Sequence, residues 1–100
     1  DTEAPSAPYV NGTDISGATR ILVYWDASTD NVGVTGYAVY KSTDEINYTL
    51  GNTTTGLSLA VTVNTAQLTY FKVKAYDAAG NYSAYSNIVV GCNDNGNPCF

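Results

Sequence analysis

Four stretches of the chain alternate apolar and polar residues with a period of two, and a helix cannot bury such a pattern. Across residues 20–26, Ile21, Val23 and Trp25 fall on one side and Arg20, Leu22, Tyr24 and Asp26 on the other. Across 36–41, Tyr37 and Val39 alternate with Ala38 and Tyr40. Across 57–63, Leu57, Leu59, Val61 and Val63 oppose Ser58, Ala60 and Thr62. Across 69–77, Phe71, Val73 and Ala75 oppose Tyr70, Lys72, Lys74 and Tyr76. Each stretch is rich in β-branched and aromatic residues and reads as a strand buried on one face.

Turn residues separate these stretches: Asp30-Asn31-Val32-Gly33, Gly51-Asn52 and Ala79-Gly80-Asn81. Weaker strands are expected at 9–15, 46–50 and 85–90, which brings the count to seven. With no helical stripe in any window of about 11 residues, the pattern predicts an all-β fold, a seven-stranded sandwich of two sheets. A chain of this length buries roughly two-thirds of its unfolded surface, so its 44% apolar content supplies one core. The expected organisation is an extended lead-in over 1–8, the sandwich over 9–91 and a cysteine-bearing terminal loop over 92–100. Pro5 and Pro8 in the lead-in fix their own φ and keep Ala4 and Ala7 out of the helical region.

Two long segments carry a family resemblance. The run Trp25-Asp26-Ala27-Ser28-Thr29-Asp30-Asn31-Val32-Gly33-Val34-Thr35-Gly36-Tyr37 resembles the passage from strand B to strand C of bacterial fibronectin type III domains. The run Phe71-Lys72-Val73-Lys74-Ala75-Tyr76-Asp77-Ala78-Ala79-Gly80-Asn81, followed by Ser83, resembles their strand F and F–G turn. The resemblance covers about residues 1–91 and implies an immunoglobulin-like sandwich. In it, Trp25 would pack against Tyr37, Val39, Phe71 and Val73. One departure stands out: family members carry a corner tyrosine two residues before the position of Phe71, and Thr69 occupies that place. Similar domains in bacteria serve secreted glycoside hydrolases and surface proteins as spacers or accessory modules, which is an implication of the resemblance alone.

Charge is sparse and acidic, four cations against nine anions for a net −5. Nucleic-acid affinity rests on many Lys and Arg side chains, and Arg20, Lys41, Lys72 and Lys74 cannot build that surface. No apolar run approaches the ~20 residues of a membrane span, and no signal-peptide pattern opens the chain, so an export signal is expected upstream or already removed. Neither nucleic acid nor membrane insertion is expected.

Groupings that carry chemistry are few. With no His in the chain, a Ser–His–Asp arrangement is unavailable, and no motif sets a Ser beside a Lys. Glycoside hydrolysis needs two carboxyl groups at a set separation, and Asp26 with Asp30, or Asp44 with Glu45, are the available pairs. Aspartate beginning a turn by bonding its own backbone is the commoner reason for such residues. The run Asp94-Asn95-Gly96-Asn97 is oxygen-rich and Gly-kinked like a calcium loop but lacks the later Glu. Asp26, Asp30, Asn31 and Asp77 form a second oxygen-rich set; turns are the expected role of both. Four Asn-X-Ser/Thr sequons, at Asn11, Asn47, Asn52 and Asn81, are incidental in a chain so rich in Asn and Thr. No catalytic, cofactor-binding or metal residue is expected, and no cofactor.

Cys92 and Cys99 are the chain's two cysteines. A metal or redox pair is one reading, but zinc needs more ligands than these thiols supply and the spacing is not CxxC. A short disulfide closing the terminal loop is the better one, worth roughly 2 kcal/mol, and it implies an oxidising, extracytoplasmic setting. The nine tyrosines are the most promising surface. Tyr40, Tyr70, Tyr76 and Lys74 should share the outer face of one sheet, where rings with polar tips suit protein or sugar contacts; cross-strand stabilisation of the sheet is the commoner reason for such rings. The expected function is a non-catalytic extracellular spacer or accessory module of a secreted or surface bacterial protein, partnered by its neighbouring domains. Two alternatives stand: a carbohydrate-binding module using the exposed tyrosines on a polysaccharide, and a self-associating subunit of a surface layer or fibre.

Overall fold

The computed structural model describes residues 3–99. Its strands, in chain order, are β1 (Val10–Ser16), β2 (Arg20–Trp25), β3 (Gly36–Ser42), β4 (Thr49–Thr54), β5 (Ser58–Thr62), β6 (Thr69–Tyr76), β7 (Val89–Gly91), β8 (Asn93–Asp94) and β9 (Asn97–Pro98). One sheet has the order β1-β2-β5 and the other β4-β3-β6-β7, every pairing antiparallel. These seven strands are the two-sheet sandwich; β8 and β9 form a separate hairpin.

The alternation does what its period requires. Ile21, Val23 and Trp25 point from β2 into the space between the sheets, and Val61 joins them from β5. Tyr37 and Val39 of β3 and Phe71, Val73 and Ala75 of β6 meet them from the facing sheet, all buried. The cross-strand register sets Tyr37 against Ala75 and Val39 against Val73, so large and small side chains fill one layer. Trp25 and Tyr37 lie with ring centroids 5.5 Å apart at 55°. The indole Nε1 has no hydrogen-bond partner among the described residues, so packing holds this ring. The Tyr37 hydroxyl accepts from Ser28 N at 2.9 Å, tethering the β2–β3 loop to the core.

Several details depart from the alternation. Gly51-Asn52 is not a turn but lies within β4, displaced from the expected 46–50 strand, and the turn falls at 55–57. A Cβ at Gly51 would sit 3.2 Å from the Val39 carbonyl and 3.3 Å from Val61 Cγ1. Close approach to β3 and β5 is therefore why glycine stands there. Leu57, expected to point inward, lies before β5 and is exposed; its carbonyl accepts from Trp25 N at 3.0 Å. Of the expected 85–90 strand only 89–90 form a ladder with β6, which continues to Gly91. Residues 93–98, expected as loop, make the β8–β9 hairpin about Asn95 (φ 53°) and Gly96 (φ 93°). An Asn-Gly pair with both residues at positive φ is the favoured two-residue hairpin turn.

Residues 3–8 run extended along the β2–β3 loop, with Pro5 and Pro8 buried. Ser6 N donates to the Thr29 carbonyl at 2.8 Å and Ser6 Oγ accepts from Thr29 N at 2.9 Å. Truncating the central ring tests the core assignment. Trp25→Ala is expected to destabilise the domain by about 3–5 kcal/mol, read as a lower urea midpoint. A change under about 1 kcal/mol would show that the indole does not hold the sheets together.

Candidate functional site

The outer face of the β4-β3-β6-β7 sheet gathers most of the chain's tyrosines. On it Tyr70, Lys72, Lys74 and Tyr76 of β6 stand opposite Ser42, Tyr40, Ala38 and Gly36 of β3. The two small residues explain how the larger ones lie flat. Ala38 is buried although it faces outward, and Tyr76 lies across Gly36, where any Cβ would strike its ring.

A second group of rings arrives from the segment before β7, which pairs with β6 in an unusual way. Val73 N and Ala75 N each donate to a serine hydroxyl, Ser86 Oγ and Ser83 Oγ, both at 2.8 Å. Ser86 N and Ser83 N donate back to the carbonyls of the same two residues. Serine side chains thus replace strand carbonyls, and burying Ser83 and Ser86 leaves the flanking Tyr82 and Tyr85 on the surface.

The two lysine ammoniums connect the rings. Lys72 Nζ lies 4.1 Å from the centroid of Tyr48 and 3.8 Å from that of Tyr85. Lys74 Nζ lies 4.2 Å from Tyr82, 5.0 Å from Tyr85 and 5.2 Å from Tyr40. Tyr40 and Tyr85 meet edge-on at 5.5 Å, and Tyr76 and Tyr82 lie tilted at 50° with centroids 5.7 Å apart. The result is a continuous strip, Tyr48–Lys72–Tyr85–Lys74–Tyr82–Tyr76, with Tyr40 beside its middle. Each cation–ring contact contributes about 0.5–1 kcal/mol at an exposed site.

Tyr40, Tyr70, Tyr76 and Lys74 therefore share one face, and all four are half-buried. The more exposed rings are Tyr82, at 52%, and Tyr85, at 43%. Sequence reasoning missed both because Ser83 and Ser86 stand three apart, a spacing that alternation does not register. Tyr48 was missed because the 46–50 stretch has no clear alternation to assign it a face; it lies just before β4. Burial, then the negative charge of Glu45 and Asp44, raises the Tyr48 phenol above its usual pKa.

The aspartates hold turns. Asp44 accepts from the backbone of Asn47 and Ile46, then from the Ser42 hydroxyl and the Asn47 amide, and these bonds hold its carboxyl well below the usual range. Asp77 is buried, which works against ionisation, yet the side chain and backbone of Asn81 and the backbone of Ala79 outweigh this and lower its pKa. Asp30 accepts from the backbone of Val32 and Gly33, and Asp26 from Asn11 Nδ2. Among the described residues no three His, Cys, Asp or Glu side chains gather as a metal cluster. The recess of about 280 Å³ between Lys41 and Thr62 is lined without a carboxylate. Cys92 and Cys99 are joined in a disulfide, Cα atoms 5.6 Å apart.

An antiparallel three-plus-four sandwich with these connections is the fibronectin type III architecture. Similarity to known proteins agrees. The chain is 47% identical over 90 residues to chitinase A1 of Niallia circulans, a match covering 89% of this chain and 12% of that one. It is 43% identical over 97 residues to chitinase Chi52 of Paenibacillus xylanexedens, covering 96% and 18%. Among solved structures, the fibronectin type III domain of human fibronectin type III domain containing protein 3 superposes with a TM-score of 0.71 at 22% identity, covering 96% of this chain and 94% of that one. No family model matches the chain. The chain has the fibronectin type III fold and is similar along most of its length to segments of bacterial chitinases, of each of which it spans less than a fifth.

The Asp44 carboxyl has a lower pKa folded than unfolded. Its contribution to stability is thus present above the unfolded value of about 3.9 and is lost as pH falls below it. Asp44→Asn is expected to melt at a lower temperature than the parent at pH 7, and the two melting curves should converge between about pH 5 and pH 2. A constant offset across that window would show that the carboxylate charge plays no part in the loop.

Proposed function

We propose that this chain is a non-catalytic spacer module of an extracellular, polysaccharide-degrading bacterial protein. One observation carries the reading: the lead-in and the tail are attached at opposite ends of β2. The lead-in is bonded beside the Trp25 end of β2, through Tyr9 O to Asp26 N and through Ser6 to Thr29. The tail is bonded beside the Arg20 end of the same strand, through Asn93. The body measures 44 × 24 × 17 Å, and a module set in series holds its neighbours apart by at least the length of that strand. The chitinase relatives, of which the chain matches a small part, support a setting among larger catalytic chains. The disulfide supports an oxidising compartment, and among the described residues no helix is long and apolar enough to cross a membrane.

A second reading has its own support. The exposed rings of Tyr82 and Tyr85 are fixed by Lys72 and Lys74, which lowers the entropy lost when a flat ligand stacks on them. On that reading the strip contacts a polysaccharide chain. Incubating the 100-residue chain with insoluble chitin, cellulose and starch separates the cases. The spacer reading expects it to stay in the supernatant with no sugar released. Retention on one polymer that is lost in a Tyr82→Ala/Tyr85→Ala double variant would replace it with the second reading, and release of sugar would overturn both.

A further inference from the structure

The β8–β9 hairpin places a polar side chain deep in the lower end of the sandwich. Asn93 is completely buried. Its Nδ2 donates to the carbonyls of Gly17, at 3.1 Å, and Arg20, at 2.7 Å, which uses both amide hydrogens. Its Oδ1 accepts from Gly96 N at 2.7 Å, and its own carbonyl accepts from Ala66 N at 3.0 Å. One residue therefore fastens three separate turns: β1–β2, the β5–β6 corner and the hairpin's own.

The corner needs such a fastening. Ala66 sits at φ 59°, a left-handed conformation that a residue with a Cβ adopts only where its surroundings impose it. In immunoglobulin-like sandwiches this corner is commonly tied by a tyrosine hydroxyl bonded to the backbone. Here Thr69 stands in that place, and its hydroxyl reaches only the Gln67 carbonyl, at 3.4 Å. The residue that ties the corner comes instead from beyond β7. It sits on a hairpin with two residues per strand, too short to be stable alone, and the Cys92–Cys99 bridge closes that hairpin.

We propose that Asn93, held in place by the Cys92–Cys99 disulfide, takes the part of the missing corner tyrosine. Residues 92–99 are then integral to the domain, and the β5–β6 corner is sensitive to thiol reductants. A dithiol supplies two electrons and two protons to the bridge, leaving two thiols and its own disulfide. The freed tail then withdraws Asn93, and Ala66 N loses its acceptor.

Urea unfolding of the full chain with and without dithiothreitol, joined to amide hydrogen exchange, tests this. Reduction should lower the folding constant by about 30-fold. It should also speed exchange at the Ala66 amide while the β3 amides stay protected in native conditions. Asn93→Ala should cost a similar factor in the oxidised chain but less than about threefold in the reduced chain, because coupled groups are not additive. If Asn93→Ala fails to fold, exchange in the parent alone decides. An Ala66 amide equally protected with and without reductant would overturn the proposal, as would the same loss for Asn93→Ala in both redox states.

Discussion

Everything else in this domain is placed by the contact between the inner faces of β2 and β6. Ile21, Val23 and Trp25 on one side and Phe71, Val73 and Ala75 on the other are all buried. Because side chains alternate along a strand, burying these residues fixes where every other residue of the two strands must point. Lys72 and Lys74 face outward because Phe71, Val73 and Ala75 face inward. The site is a by-product of the core in that sense. A one-residue slip of β6 would put two lysines between the sheets and three apolar side chains in water.

Outward placement alone does not make a defined surface. Lysines and tyrosines on a strand are ordinarily mobile, and ordering them costs side-chain entropy. Here each ammonium lies on more than one ring: Lys72 between Tyr48 and Tyr85, Lys74 among Tyr82, Tyr85 and Tyr40. The rings come from three places in the chain, so the strip also ties the segment before β7 and the entry to β4 onto the sheet. The same contacts that stabilise the sheet pre-order the rings, and a stabilising role and a recognition role require the same geometry. This is why binding measurements, and not further inspection of the face, separate the two readings.

What the sequence reveals follows the physics of each element. The period-2 runs made the four main strands and the inner residues Trp25, Tyr37, Val39, Phe71 and Val73 legible, because burial of one sheet face leaves no other arrangement. Gly51 misled because a glycine needed for close approach to Val39 and Val61 looks the same in sequence as a glycine needed for a turn. The Ser83 and Ser86 pairing was illegible because hydroxyls stand in for carbonyls without any sequence period, and Tyr82 and Tyr85 were lost with it. The tail carried a usable signal in Asn95-Gly96, a hairpin turn pair. No flanking strand of any length accompanies that pair, so the alternation does not mark it. The burial of Asn93 depends on carbonyls 73 and 76 residues away in the chain, and no local pattern encodes that.

The first and last strands of the sandwich are tied to each other across the gap between the sheets. β1 and β7 belong to different sheets, yet side chains bridge them. Asn87 accepts from Val10 N at 2.8 Å and donates to Val10 O at 3.0 Å, and Thr13 Oγ1 donates to the Val90 carbonyl at 3.2 Å. Residue 10 thus meets 87 and residue 13 meets 90, so the two segments run in the same direction. Pulling the chain by its ends would draw β1 and β7 past each other along their length and load these bridges together, in shear, instead of opening them one at a time. Asn87 also supplies both a donor and an acceptor to one residue, as a ladder partner would. The inter-sheet edge where the chain enters and leaves is therefore held by paired hydrogen bonds as well as by the core.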